Sequence, residues 1–170
     1  MKLNEEISIF WFRRDLRLND NAGLYHALKE SKQVLPVFIF DITILEQLEN
    51  KEDRRVEFIL LALKEMHNQL EELGSSLLIL HDTPLQAFEK LLSDYTIQAV
   101  YTNHDYEPYA TKRDKSIQEL LKKKSIELKT FKDQVIFEKN EVAKDDGLPY
   151  TIFTPYMRKW KTRLTDFYLK

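Results

Sequence analysis

Cysteine is absent from these 170 residues. That excludes disulfides, a thiolate nucleophile and a cysteine-ligated zinc site, and it fits a reducing compartment, so the expected location is the cytoplasm. Glycine occurs only three times. A backbone cradle around a pyrophosphate needs glycines at the first strand-to-helix turn, and neither G-x-G-x-x-G nor G-x-x-x-x-G-K-[ST] is present, which argues against a dinucleotide dehydrogenase and a P-loop NTPase. No apolar run approaches the roughly 18 residues of a membrane helix. The start MKLNEEISIF leads straight into a short strand, so no secretory leader is expected. A basic excess is lacking too: the formal net charge is -2, against a surface that grips nucleic acid throughout. Histidine is sparse, and His26, His67, His81 and His104 show no metal spacing.

What is present is an alternation of β-rich and helix-period runs. Strands are expected at ISIFWF (7–12), QVLPVFIFD (33–41), SLLILHD (76–82), IQAVYTN (97–103) and IELKTFK (126–132). Their near-continuous apolar character suits strands covered on both faces. Between them, a helix starts at Asn19 or Asp20, a longer one runs from Asp53 to Leu73, a third opens at Pro84 and a fourth spans Tyr109 to Lys124. In the long helix Val56, Ile59, Leu63, Met66, Leu70 and Leu73 mark the inward face, and Gly74 follows as a C-cap. The fold class is therefore α/β, an open five-stranded parallel sheet with helices on both faces. Residues 1–135 form this domain. Residues 136–170 carry a polar loop and a terminal amphipathic helix, with Tyr156, Trp160, Arg163 and Phe167 as an aromatic stripe beside a basic face.

Ligands of open α/β sheets bind outside the carboxyl ends of the strands. Each strand end here is polar: Arg13-Arg14-Asp15, Asp41, His81-Asp82, and Asn103 through Glu107. Asp105 and Glu107 are two apart, so in an extended segment both accept hydrogen bonds on one side, or else they cap the helix that Pro108 opens. Phe38 is either a cavity wall or core. Arg55 either bridges a ligand or the Asp105–Glu107 pair, or is a solvated helix arginine. Asp15 and Arg17 are expected to hold the rim together through ion pairs, and Trp11 to be core.

The stretch FWFRRDLRLNDNAGL resembles the N-terminal signature of the DNA photolyase and cryptochrome family. PVFIFD, RRVEFILLALKEMHNQLEELGSSLLILHDTP, VYTNHDYEPYATKRD and GLPYTIFTPYMRKW follow in the same order as in that family, so the resemblance covers nearly the whole chain. It implies a Rossmann-like N-terminal domain that binds a light-harvesting antenna chromophore, methenyltetrahydrofolate or 8-hydroxy-deazaflavin. FAD and damaged DNA would be held by a separate C-terminal helical domain that this stretch lacks. By the same resemblance, Arg14, Phe38, Asp41, Arg55, Asn103, Asp105 and Glu107 are the antenna-binding candidates. The implied activity is that of a cyclobutane pyrimidine dimer photolyase, to which this domain contributes no bond chemistry. The implied partners are the protein's own helical domain and damaged DNA, with no membrane and a monomeric full-length protein. A cryptochrome photoreceptor is one alternative. The other is a stand-alone nucleotide-binding α/β module resembling the electron-transfer flavoproteins.

Overall fold

The computed structural model describes residues 3–50 and 52–169. The chain divides into two compact units, one ending at Phe131 and one running from Lys132, a few residues before the expected 135/136 boundary. In the first unit the order is β1 (Leu3–Phe12), α1 (Ala22–Glu30), β2 (Val34–Asp41), a single-turn α2 (Ile42–Leu45), α3 (Arg54–Glu72), β3 (Leu78–Asp82), α4 (Pro84–Asp94), β4 (Tyr95–Asn103), α5 (Pro108–Lys122) and β5 (Glu127–Phe131). All strand pairs are parallel, in the spatial order β3-β2-β1-β4-β5. The chain winds outward from β1 to β3, then crosses back to β4 on the other side of β1. That reversal leaves a crevice at the carboxyl ends of β1 and its neighbours.

Side chains alternate across a strand, and from Ser8 to Phe12 both faces of β1 are buried. Ile9 and Trp11 enter one core layer with Ala87, Phe88 and Leu91 of α4 and Ile117 and Leu121 of α5. Phe10 and Phe12 enter the other, with Leu24 and Ala27 of α1 and Leu63, Met66 and Leu70 of α3. A strand that feeds two layers is apolar on both faces, which is why Ile9 to Phe12 show no alternation; the one polar residue of ISIFWF, Ser8, is buried with its hydroxyl 2.7 Å from that of Ser31.

The helix ends follow local chemistry. Asn21, rather than Asn19 or Asp20, caps α1 by accepting from the Leu24 amide, because Asp20 takes a left-handed turn at φ 51°. α3 ends in a Schellman motif: Gly74 at φ 75° donates to the Glu71 carbonyl and Ser75 to that of Leu70. Leu73 sits at that cap and turns to solvent instead of into the core, at 76% exposure.

Gly23, inside α1, is required by a close approach. A Cβ there would lie 2.7 Å from Asn103 Oδ1 and 2.9 Å from the Phe10 ring. Alanine in a helix gains about 0.5–1 kcal/mol over glycine. Asn103 Oδ1 cannot retreat without breaking its bond to the Gly23 amide, 2.8 Å long. Gly23→Ala is therefore expected to be net destabilising by about 1–3 kcal/mol in urea denaturation, the usual cost of overpacking.

In the second unit, Glu138 and Glu141 form a capping box around a 3₁₀ turn (Lys139–Val142), and Lys132 Nζ lies 2.8 Å from Glu141 Oε2. The helix α6 (Phe153–Arg163) follows. Of the expected stripe, Trp160 packs edge-on against Phe137 at 5.5 Å between ring centroids. Phe167 lies beyond the helix end and is exposed, so the stripe is shorter than the sequence period suggested. Among the described residues no helix is long and apolar enough to cross a membrane, and no cluster of His, Asp or Glu could hold a metal ion.

Candidate functional site

A cavity of about 470 Å³ opens at the carboxyl ends of β1 and β2, beside the first turns of α3 and α5. Phe38, Phe40, Ile44 and Phe58 supply apolar wall, with Arg14, Asp41, Asp105 and Glu107 as polar lining. The size and mix match a site for a drug-sized aromatic ligand.

Of the seven residues expected to bind a ligand, Arg14, Phe38, Asp41, Arg55, Asp105 and Glu107 all line this cavity, and Asn103 does not. Asn103 is turned under the sheet edge, 4% exposed. Its Nδ2 donates to Asp15 Oδ2 at 2.6 Å and to Asn21 Oδ1 at 2.8 Å, while its Oδ1 accepts from the Gly23 amide. It ties the end of β4 to the β1 loop and to the start of α1. Asp15 is buried in this knot and is also bonded by the Arg13 amide at 2.9 Å. Amide and backbone donors therefore hold Asp15, where ion pairs were expected. His81 and Asp82, on edge strand β3, do not line the cavity.

Arg14 bridges the acidic pair, with Nη2 2.6 Å from Glu107 Oε1 and Nε 3.4 Å from Asp105 Oδ2. The Glu107 bond, above all, raises the guanidinium's pKa. Arg14 thus takes the bridging role considered for Arg55. The Arg55 guanidinium folds back onto its own helix cap instead, 2.6 Å from Asp53. That side-chain bond, helped by the Arg55 backbone amide, lowers the Asp53 pKa to about 2. A carboxyl depressed in the fold contributes stability at ordinary pH and loses it as pH falls through its folded value. An NMR titration of the Asp53 carboxyl is expected to show a midpoint near 2, and Arg55→Gln should move it up toward 3.8.

Two guanidiniums outside the set expected to bind a ligand shape the inner wall: Arg13, named only as part of a polar strand end, and Arg113. Arg13 Nη1 lies 2.7 Å from both oxygens of Asp114 on α5, and its Nη2 donates to the Asn103 carbonyl. Burial lowers the Arg13 pKa and the Asp114 charge opposes the change. Arg113 shares Asp114, with Nε and Nη2 each 3.0 Å from Oδ1. The two guanidinium carbons lie 5.1 Å and 5.0 Å from the Trp11 ring centroid. Trp11 is core, as expected, and also reaches the cavity wall. Tyr109, on the first turn of α5, donates its hydroxyl to Asp41 Oδ2 at 2.6 Å. Burial and then that bond raise the phenol's pKa.

A sequence profile of the DNA photolyase family matches residues 8–168. This chain belongs to the DNA photolyase family. The match favours this family over the resemblance to the electron-transfer flavoproteins. A deoxyribodipyrimidine photo-lyase of a Synechococcus strain is 32% identical over 155 residues, 91% of this photolyase-family chain and 32% of the relative. The crystal structure of a class III photolyase from Agrobacterium tumefaciens matches with a TM-score of 0.81 at 25% identity, over 95% of this chain and 33% of that one. An archaeal photolyase from Sulfolobus tokodaii, solved with two FAD molecules, matches with a TM-score of 0.73 at 32% identity, over 82% of this chain and 32% of that one. The chain therefore spans about a third of the length of the photolyases it matches. The Rossmann-like sheet expected from the sequence is the fold found.

Proposed function

We propose that the unit ending at Phe131 is the antenna-binding domain of a DNA photolyase and that its cavity holds a flat heteroaromatic dye, methenyltetrahydrofolate or an 8-hydroxy-deazaflavin. One observation carries the reading: at the sheet's ligand edge, a cavity of about 470 Å³ combines aromatic walls with an orderly guanidinium–carboxylate rim. Phe38 and Phe58 offer faces for a ring system. Asp105 and Glu107 accept hydrogen bonds from ring-edge donors, with Arg14 fixing their orientation. Arg14 and Arg113 offer donors to ring carbonyls. A bound dye supplies absorption in the near-UV or blue.

In the whole protein, excitation would pass without contact to reduced FAD in a helical domain bound to damaged DNA, and the repaired lesion would be the cyclobutane pyrimidine dimer. The names of the relatives support this, as does the share of their length that the chain covers. The proposed setting is the cytoplasm, which the lack of cysteine fits, and the proposed whole protein is a monomer.

The test is an absorbance titration with methenyltetrahydrofolate and with 8-hydroxy-5-deazariboflavin. A saturable red shift with one of them is expected, weakened in Asp105→Ala. No spectral change with either dye overturns the assignment. Repair of a thymine-dimer oligonucleotide by the full-length gene product under blue light separates a photolyase from a cryptochrome.

A further inference from the structure

The cavity wall contains two oxidisable rings, and their surroundings treat them oppositely. Trp11 is the stronger donor of the two by ring chemistry, but it faces the guanidiniums of Arg13 and Arg113 at about 5 Å. An indole that loses an electron becomes a cation, so these neighbours oppose the loss. Tyr109 instead bonds a carboxylate through a 2.6 Å contact to Asp41 Oδ2. Asp41 is held in place for this, since its Oδ1 accepts the Thr43 amide at 3.0 Å and its side chain is nearly closed to solvent.

We propose that Tyr109 and Asp41 form a proton-coupled one-electron donor to a photoexcited flavin-type ring seated in this cavity. The proposal rests on the reading of the cavity as a dye site. One electron leaves Tyr109 for the excited ring, and the phenolic proton moves along the existing hydrogen bond to Asp41 Oδ2. Tyr109 ends as a neutral phenoxyl and Asp41 as a neutral acid. Both return when the electron flows back. Because the oxidised phenol sheds its charge with the proton, Arg113, 5.9 Å from the Tyr109 ring centroid, does not oppose this step as it opposes the indole. Arg113 and Arg14 instead favour the negative charge that arrives in the cavity. The pair gives the site a second, redox outcome for an absorbed photon, in competition with onward transfer of excitation.

The experiment uses the whole chain with FMN as probe. Anisotropy titration first measures binding, and time-resolved fluorescence and transient absorption then follow the bound fraction. The expected result is a short excited-state lifetime with a tyrosine phenoxyl band rising as the emission decays. Tyr109→Phe should lengthen the lifetime several-fold and remove the band. Asp41→Asn, which keeps the phenol but removes its base, should also lengthen it. Deuterated water should slow the decay in the parent and leave Tyr109→Phe unchanged. In the ligand-free chain, ultraviolet difference titration against Tyr109→Phe should find the Tyr109 phenol ionising above the ordinary tyrosine range, which reads the same bond without any dye. Bound FMN with the same lifetime in parent and Tyr109→Phe, or an indole radical in place of the phenoxyl, overturns the electron-donor role and leaves the dye site standing. A failure of FMN to bind removes the flavin-type site and this proposal together.

Discussion

Asn103→Leu is expected to cost about 3 kcal/mol or more of folding stability, because it strips a buried carboxylate and a buried backbone amide of partners at once. Leucine has the same number and branching of side-chain heavy atoms as asparagine and leaves no cavity, so the loss comes from the missing polar partners. Asp15 Oδ2 would lose its 2.6 Å donor, and the Gly23 amide its 2.8 Å acceptor. Asn21 Nδ2, 3.2 Å from Asp15 Oδ2, remains as a weaker donor to that oxygen, and the Arg13 amide still bonds Oδ1 at 2.9 Å. Typical domains have about 5–15 kcal/mol in total, so this single change removes a large fraction of the margin. Urea denaturation monitored by circular dichroism measures it. A loss under 1 kcal/mol would mean that the knot between β4, the β1 loop and α1 contributes little in solution. Asn103→Asp should also destabilise, since it faces one carboxylate with another.

A loss of similar size is expected for Asp114→Ala, about 3–5 kcal/mol, because removing one partner of a buried ion pair leaves the other charge uncompensated. The stranded group is Arg13, whose side chain is only 7% exposed. Arg113 would lose its two 3.0 Å bonds to the same carboxylate and retain only the 3.9 Å approach to Asp105. Once released, both guanidiniums can leave the Trp11 ring, so the variant should also lose dye affinity even though Asp114 does not line the cavity. A double-mutant cycle with Arg13→Met isolates the pair: the two changes together should cost clearly less than their sum. Strict additivity would show that the two residues do not act as a unit.

The fold was legible because its strands are buried on both faces and end abruptly in charge. ISIFWF and PVFIFD read as covered parallel strands, and the glycine after the long helix marked its end correctly. Shorter features were less visible. A four-residue turn such as α2 has no period to detect, and the run Asn19-Asp20-Asn21 offers three capping residues where only the backbone turn at Asp20 decides among them. The cavity lining was legible where chemistry clusters at strand ends, as at Asp41, Asp105 and Glu107. Arg13 and Asp114 are 101 positions apart, so no local pattern joins them. Asn103 was found for the right neighbourhood but points inward, because a strand's last residue faces either the crevice or the layer beneath it, and sequence does not say which. Arg55 had its partner two residues upstream in its own helix cap, a signal the sequence did carry.

The two-sided burial of β1 has a consequence for how the strand finds its place. Slipping by one residue would move Trp11 into the layer of Phe10 and Phe12, and both layers are apolar, so hydrophobicity alone discriminates poorly between the two alignments. Polar contacts discriminate sharply. The Thr102 hydroxyl donates to the Trp11 carbonyl at 2.9 Å, and Arg13 meets Asp114 and the Asn103 carbonyl only in the native alignment. A one-residue shift would bury an arginine without a partner. The charged cluster that ends the strand thus serves as its ruler, measuring off the alignment that a greasy strand cannot choose for itself.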